Sequence, residues 1–344
     1  MEENMISEIG SEFSNYKDYG LNFVMPEKIK DYAFTFSGRT AISVVLKNLP
    51  HIKKALLPSY CCDSMIEPFR ESKIEVYFYN VNYQNILQIE VNIPQDVDLL
   101  LWCNYFGYKN NMPNLDYFID RGGIIVEDIT HSLYSQQKYD SQSHFLVASL
   151  RKWGPLFCGG YCASTNTLLK YKPMQQPPIS FIDNRKLAMD LKEQYLIDKS
   201  NSKKEKFMTL FNECNKWISK NYLNLLIDDE SKKILFRSKN ESIINKRISN
   251  ARCLHEGLQN NVNIEMLFDI NYIDCPLFVP IIIKNGKRDY YRKKLIENKI
   301  YCPIHWPHSN EKCESNLYEL ELSLICDQRY TENDMKKIIS ILCD

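Results

Sequence analysis

Between residues 35 and 165 the chain alternates short apolar runs with segments of helical spacing, and this alternation restricts its fold more than any other feature. Helical spacing over 40–49 (TAISVVLKNL) precedes a strand pattern at 54–58 (KALLP). A helix at 64–72 (SMIEPFRES) leads to a strand at 74–81 (IEVYFYNV), and another strand follows at 98–106 (DLLLWCNYF). Residues 114–122 (NLDYFIDRG) read as a helix, and 124–128 (IIVED), 145–150 (FLVASL) and 159–164 (GGYCAS) as strands. Strands joined through helices form a mostly parallel sheet with helices on its faces, so the fold class is α/β. In such sheets ligands sit at the carboxyl ends of the strands.

Residues 183–265 are charged, helical in pattern and poor in glycine. A smaller α/β unit follows. It has a strand at 276–283, a helix at 288–299, a Pro/His/Trp loop at 302–308, a strand at 320–326 and a last helix at 331–342, with Thr331 and Asp334 as its capping box. The expected organisation is an N-terminal segment, 1–33, packing with the small domain, a large domain, 34–235, and a small C-terminal domain, 236–344.

At 344 residues and 44% hydrophobic content the chain can bury a large core. Lys plus Arg and Asp plus Glu are 43 each, a net charge of zero, which gives no electrostatic footprint for nucleic acid or an acidic membrane. The start MEENMISEIGSEF does not read as a signal peptide, and no apolar run of about 18 residues could span a bilayer. The expected location is therefore the cytoplasm, with the twelve cysteines as free thiols. Cys61-Cys62 lacks a metal-ligand spacing, so no metal site is expected.

Three features sit at strand ends of the large unit. Ser37-Gly38-Arg39-Thr40 stands just before a helix, where free amides bind phosphate and glycine permits close approach. Asp128 ends the strand 124–128. Lys152 follows the strand 145–150, three residues after Ser149 and ahead of Gly159-Gly160. A phosphate cradle, a carboxylate and a lysine are what pyridoxal 5'-phosphate (PLP) requires. The lysine forms the Schiff base and the carboxylate pairs with the pyridinium nitrogen.

These segments resemble the DegT/StrS-type sugar aminotransferases, PLP enzymes of fold type I. SGRTAIS (37–43) resembles the family's Ser-Gly-Thr-Ala stretch, LPSYCCDS (57–64) its P-x-x-T segment, EDITH (127–131) its E-D-A-A-H/Q, and ASLRKWGPLFCGG (148–160) its serine strand, lysine and Gly-Gly. The spacing from Asp128 to Lys152, 152 − 128 = 24, suits the family. EIGSEF (8–13), KRISNARCL (246–254) and the tail from PLFVPI extend the resemblance over nearly the whole chain.

The resemblance implies catalytic roles for Lys152 and Asp128, and cofactor contacts from Gly38, Arg39, Thr40, His131 and Ser149. The family's ring-stacking aromatic falls at Cys62, so either Tyr60 supplies the stack or none does. Val147 takes the place of the commonest family serine. The family's G-Y-N-Y-R phosphate contact, supplied across the dimer, has no clear match. His305 and Trp306 are implied at the substrate mouth. The implied activity is transfer of an amino group from an amino-acid donor, glutamate, to a nucleotide-linked keto sugar, in surface polysaccharide or related sugar biosynthesis, by a homodimer. The alternatives are a non-catalytic member of the fold and a sugar dehydratase, which would lack the lysine.

Overall fold

The computed structural model describes residues 8–17, 19–238, 242–307 and 314–343. An eight-stranded sheet is built from β2 (Asp31–Thr35), β3 (Lys54–Pro58), β4 (Glu75–Gln84), β5 (Ile86–Glu90), β6 (Leu99–Cys103), β7 (Ile124–Asp128), β8 (Phe145–Ser149) and β9 (Gly160–Ser164), after a short β1 (Ile9–Gly10). Its order is β2-β9-β8-β7-β6-β3-β4-β5. β4, β3, β6, β7 and β8 pair in parallel, whereas β9 runs antiparallel between β2 and β8, and β5 folds back along β4. Strand order reverses at β3, with β4 on one side and β6 on the other. In an open α/β sheet such a switch point, at the carboxyl ends, is where ligands bind.

The helices follow from the same patterning. α1 (Gly38–Asn48) starts at the N-cap Ser37, whose hydroxyl accepts from the Thr40 amide at 3.2 Å. It buries Ala41, Ile42, Val44, Val45 and Leu46 and packs on β8 and β9. α2 (Asp63–Glu71) packs against α1. Every residue of β6 is buried, as in a strand covered on both faces. Each buried aliphatic side chain there contributes about 1.5–3 kcal/mol relative to exposure.

α3 (Asp116–Ile119) is a single turn, shorter than the helical spacing over 114–122 suggested, because the backbone turns at Gly122 with φ +89°. The strand expected over 98–106 stops at Cys103, and the one expected from 276 begins at Val279.

α4 (Ile179–Asp198) and α5 (Asn201–Lys220) form a long hairpin, followed by α6 (Asp229–Phe236) and α7 (Ile243–Leu258). A second, three-stranded antiparallel sheet, in the order β10-β11-β13, comprises β10 (Ile264–Met266), β11 (Val279–Ile283) and β13 (Glu321–Leu324). α8 (Arg288–Glu297), β12 (Ile300–Tyr301), α9 (Leu317–Leu320) and α10 (Glu332–Cys343) complete this part. The Thr331 amide and hydroxyl both donate to Asp334 Oδ2, at 2.9 and 3.0 Å, at the start of α10.

β1 pairs in parallel with β12, so the N-terminal segment is stitched to the C-terminal part. No described helix is long and apolar enough to cross a membrane. The eleven described cysteines are all free thiols. The expected loop 302–308 is described as far as Pro307; His308 lies outside the described residues.

Candidate functional site

The carboxyl end of β8 is held tightly before it delivers a lysine. After Ser149 the chain makes one 3-10 turn, Leu150–Lys152, with Leu150 fully buried on one side and Trp153 on the other. The Trp153 indole N–H donates to the Thr130 carbonyl at 2.7 Å, and the Trp153 carbonyl accepts from the Gln328 amide at 2.8 Å. Lys152 between these anchors projects into a cavity of about 870 Å³.

The end of β7 supplies the next groups. Asp128 is buried, and its Oδ1 accepts from the Thr130 amide at 2.8 Å. Burial pushes its carboxyl up, while the Thr130 bonds and the Lys152 charge draw it down. A cation against this carboxylate would favour its ionised form further. His131 is buried as well, and burial together with the Lys152 charge holds its imidazole well below the ordinary range, so the ring is neutral. Its Nδ1 accepts from the Phe106 amide at 3.0 Å, which puts the ring proton on Nε2. Nε2 lies 3.3 Å from Lys152 Nζ. With the ring proton on Nε2, this contact is a hydrogen bond only when Lys152 is the uncharged amine, the form in which it is a nucleophile.

The N-terminus of α1 meets the end of β8 at Ser149. Ser37 occupies the Thr40 amide, which leaves the amides of Gly38 and Arg39 without a partner among the described residues. A Cβ on Gly38 would stand 3.1 Å from the Ser149 Cβ, so glycine permits β8 and α1 to meet here. On Gly160 a Cβ would stand 2.2 Å from the Ser37 carbonyl oxygen, which explains why the strand after the lysine starts with glycine. Ser149 donates its amide to Thr130 Oγ1 at 2.9 Å and faces the cavity. Arg151 also lines the cavity, and its buried Nε has no hydrogen-bond partner. Burial and the neighbouring Arg185 lower its guanidinium to about 10, with Glu12 opposing them.

An orphaned guanidinium nitrogen and two free helix-terminal amides in one cavity suit a dianionic phosphate. With Asp128 and Lys152 beyond them, the residues present fit PLP.

The structure brings Gly38, Arg39, Cys62, Asp128 and His131 to this cavity, together with Ser149, Lys152, His305 and Trp306. Thr40 and Tyr60 lie outside its walls. The Thr40 hydroxyl donates to the Tyr222 carbonyl at 2.8 Å, so its amide and side chain both serve the helix start. Tyr60 is fully buried, its hydroxyl bonded to Glu321 and its ring packed against Tyr105, Trp306 and Tyr318. The Arg39 side chain is occupied by an ion pair with Glu67 at 2.8 Å, so only its backbone is available. Cys62 is the N-cap position of α2, and its Sγ lies 2.9 Å from Ser64 Oγ.

Trp306 stacks on His131, with centroids 5.9 Å apart and planes 18° from parallel, and its ring centroid lies 5.8 Å from Lys152 Nζ. Arg151, Thr130, Asn104 and the N-terminal Glu12 were not anticipated. Asn104 follows β6 and donates to Glu127 at 2.6 Å and to Ser132 at 3.0 Å, tying two strand ends together. Arg151 adjoins Lys152, Thr130 lies within EDITH and Glu12 within EIGSEF, but none of these segments marked the residue itself.

No family model matches the chain, and no curated protein matches it. Solved structures do. Spr1654 from Streptococcus pneumoniae, assigned as a sugar aminotransferase and solved in its PLP form, superposes with a TM-score of 0.64 at 11% identity, over 98% of each chain. NtdA from Bacillus subtilis, with bound cofactor PMP, gives 0.60 at 14% identity, over 91% of this chain and 73% of its own. DesI, solved in the presence of its TDP-sugar product, gives 0.56 at 11%, over 90% and 79%. The chain therefore has the fold of these proteins, fold type I.

Proposed function

We propose that the chain is a PLP-dependent aminotransferase that moves an amino group from glutamate to a nucleotide-linked keto sugar. The observation that carries this reading is the convergence of the Lys152 amine, the Asp128 carboxyl and the start of α1 on one cavity. The bound cofactor supplies an electron sink for the carbon that bears nitrogen. Lys152 would anchor it through the side-chain amine and, when that amine is free, would carry a proton to and from the substrate carbon. Asp128 holds the proton on the ring nitrogen. The His131 Nε2–H, 3.3 Å from the Lys152 amine, would be available to donate to the phenolic edge of a cofactor held there. The amides of Gly38 and Arg39, Ser149 and the Arg151 guanidinium hold the phosphate.

A volume of about 870 Å³ leaves room for a substrate beside the cofactor. The TDP-sugar product of DesI, a protein of the same fold, favours a nucleotide-linked acceptor. Leu168, Met174, Ile179 and Ile197 are 67–81% exposed before and along α4, apolar side chains that a second copy in a homodimer would cover. The setting of this reading is surface polysaccharide or related sugar synthesis in the cytoplasm. A second reading, a protein that binds PLP without transfer, draws on Cys62 lining the cavity where the family stacks an aromatic.

Titration with PLP is expected to give a yellow, borohydride-reducible lysine adduct. A panel of nucleotide keto sugars with glutamate, followed by mass spectrometry, then names the acceptor. An adduct with no transfer to any acceptor and no reaction with glutamate selects the binding protein; no adduct removes both readings.

A further inference from the structure

β13 places Glu321 and Ser323 two residues apart, on one face of the strand, and the loop carrying His305 lies across that face. His305 Nδ1 is 2.7 Å from Ser323 Oγ, and Ser323 Oγ in turn hydrogen-bonds Glu321 Oε1. Glu321 Oε2 accepts from the His305 amide at 2.9 Å and from the Tyr60 hydroxyl at 3.3 Å. All three side chains are buried. His305 nevertheless lines the cavity, and its Nε2 has no hydrogen-bond partner among the described residues.

Counting protons gives two arrangements. With Glu321 ionised, Ser323 donates to Oε1, the His305 Nδ1–H donates to Ser323, and Nε2 presents a lone pair to the cavity. With Glu321 protonated on Oε1, that proton goes to Ser323, the Ser323 hydroxyl turns to Nδ1, and Nε2 presents an N–H. Oε2 already accepts two donors and is the poorer seat for the proton.

We infer that Glu321, Ser323 and His305 form a proton relay from a buried carboxyl to the cavity, and that His305 Nε2 is the acid that protonates the oxygen lost by the carbonyl substrate. The acid role rests on the aminotransferase reading, in which that oxygen leaves as water and needs a proton beyond the one Lys152 moves. The balance closes. The Nε2 proton goes to the departing oxygen, the Ser323 proton passes to Nδ1, and the Glu321 proton passes to Ser323. This is the ionised arrangement, with no charge left on the ring. The water consumed when the donor's oxo acid is released returns one proton to Nε2 and resets the chain.

Burial pushes Glu321 up to about 8, so both arrangements are populated near neutrality. The groups facing it are His305, Ser323 and Tyr60, with Arg288 of α8 as the charge that draws it down and the Cys302 thiol and Tyr318 hydroxyl nearby.

The test is nitrogen-15 NMR of histidine-labelled protein from about pH 6 to about pH 10, with His305 assigned through His305→Gln. The Nδ1 and Nε2 shifts of wild-type His305 are expected to interchange with a midpoint near 8. Glu321→Gln is expected to hold one tautomer throughout, and Ser323→Ala to lose the interchange. Ser323→Thr, which keeps the hydroxyl, is expected to retain it, so that a loss in the alanine variant reads the hydroxyl and not packing. A wild-type ring with one tautomer across the range, or a Glu321→Gln ring that still interchanges, overturns the relay. Interchange in a protein that transaminates nothing leaves the relay standing and overturns the acid role with the reading beneath it; transfer at the wild-type rate by Ser323→Ala overturns the acid role alone.

Discussion

Lys152 Nζ lies 3.3 Å from His131 Nε2, and the other ring nitrogen of His131 is already committed to the Phe106 amide. The imidazole can therefore offer the amine only a donor. Replacing Lys152 with Ala is expected to abolish the borohydride-reducible adduct and to lower turnover by at least about 10²–10⁴-fold, with circular dichroism unchanged. A Lys152→Ala protein that still forms the adduct places the reactive amine elsewhere.

The orphaned Nε of Arg151 makes a prediction about cofactor discrimination. Wild type is expected to bind PLP more tightly than pyridoxal, which lacks the phosphate. Arg151→Met is expected to weaken PLP by about tenfold to a hundredfold, the worth of a hydrogen bond to a charged group, and to leave pyridoxal unchanged. Equal losses for both ligands would mean that Arg151 supports the fold and not the phosphate.

Asp128 is buried at the end of β7 with one oxygen bonded to the Thr130 amide. Asp128→Asn preserves that bond and removes the charge. The variant is expected to bind PLP but to slow the half-reaction with glutamate by about a hundredfold or more, because the ring nitrogen loses its ionic partner. Stopped-flow absorbance checks it, and a near-normal rate reduces Asp128 to a strand-end residue.

Glu321 also predicts a pH dependence of stability. Its folded carboxyl titrates near 8, well above the ordinary 4.5. Between those values the folded state holds a proton that the unfolded state has lost, so stability falls as pH rises across this window and levels off above it. Gln cannot ionise. Glu321→Gln is thus expected to compare better with wild type at about pH 9 than at about pH 5, by on the order of 4 kcal/mol. Urea unfolding at the two pH values measures this, and a constant difference contradicts it.

The central sheet and the placement of Lys152 and Asp128 were legible because strand patterns expose their carboxyl ends directly. β2 was missed because its five residues open with a half-buried Asp31 and an exposed Tyr32, which blur the apolar run. β5 was missed because the turn before it rests on one residue, Asn85, at φ +67°. The resemblance left the ring stack to Tyr60 or to no residue, and the Tyr60 side chain turns toward β13 and the small sheet. The phosphate end was half legible. Ser37 and Gly38 announce a helix start, but that Thr40 spends its amide on the cap, and that Arg151 lacks a partner, are facts of three-dimensional packing.

The parallel pairing of β1 with β12 bears on how the protein comes into being. The cavity is walled by residues from Glu8 to Arg329, and β12 leads directly into the loop that carries His305 and Trp306. A ribosome will have made Lys152 long before the last of these walls emerges. A chain cut before residue 300 would therefore lack β12, His305 and Trp306 and leave Lys152 without these walls.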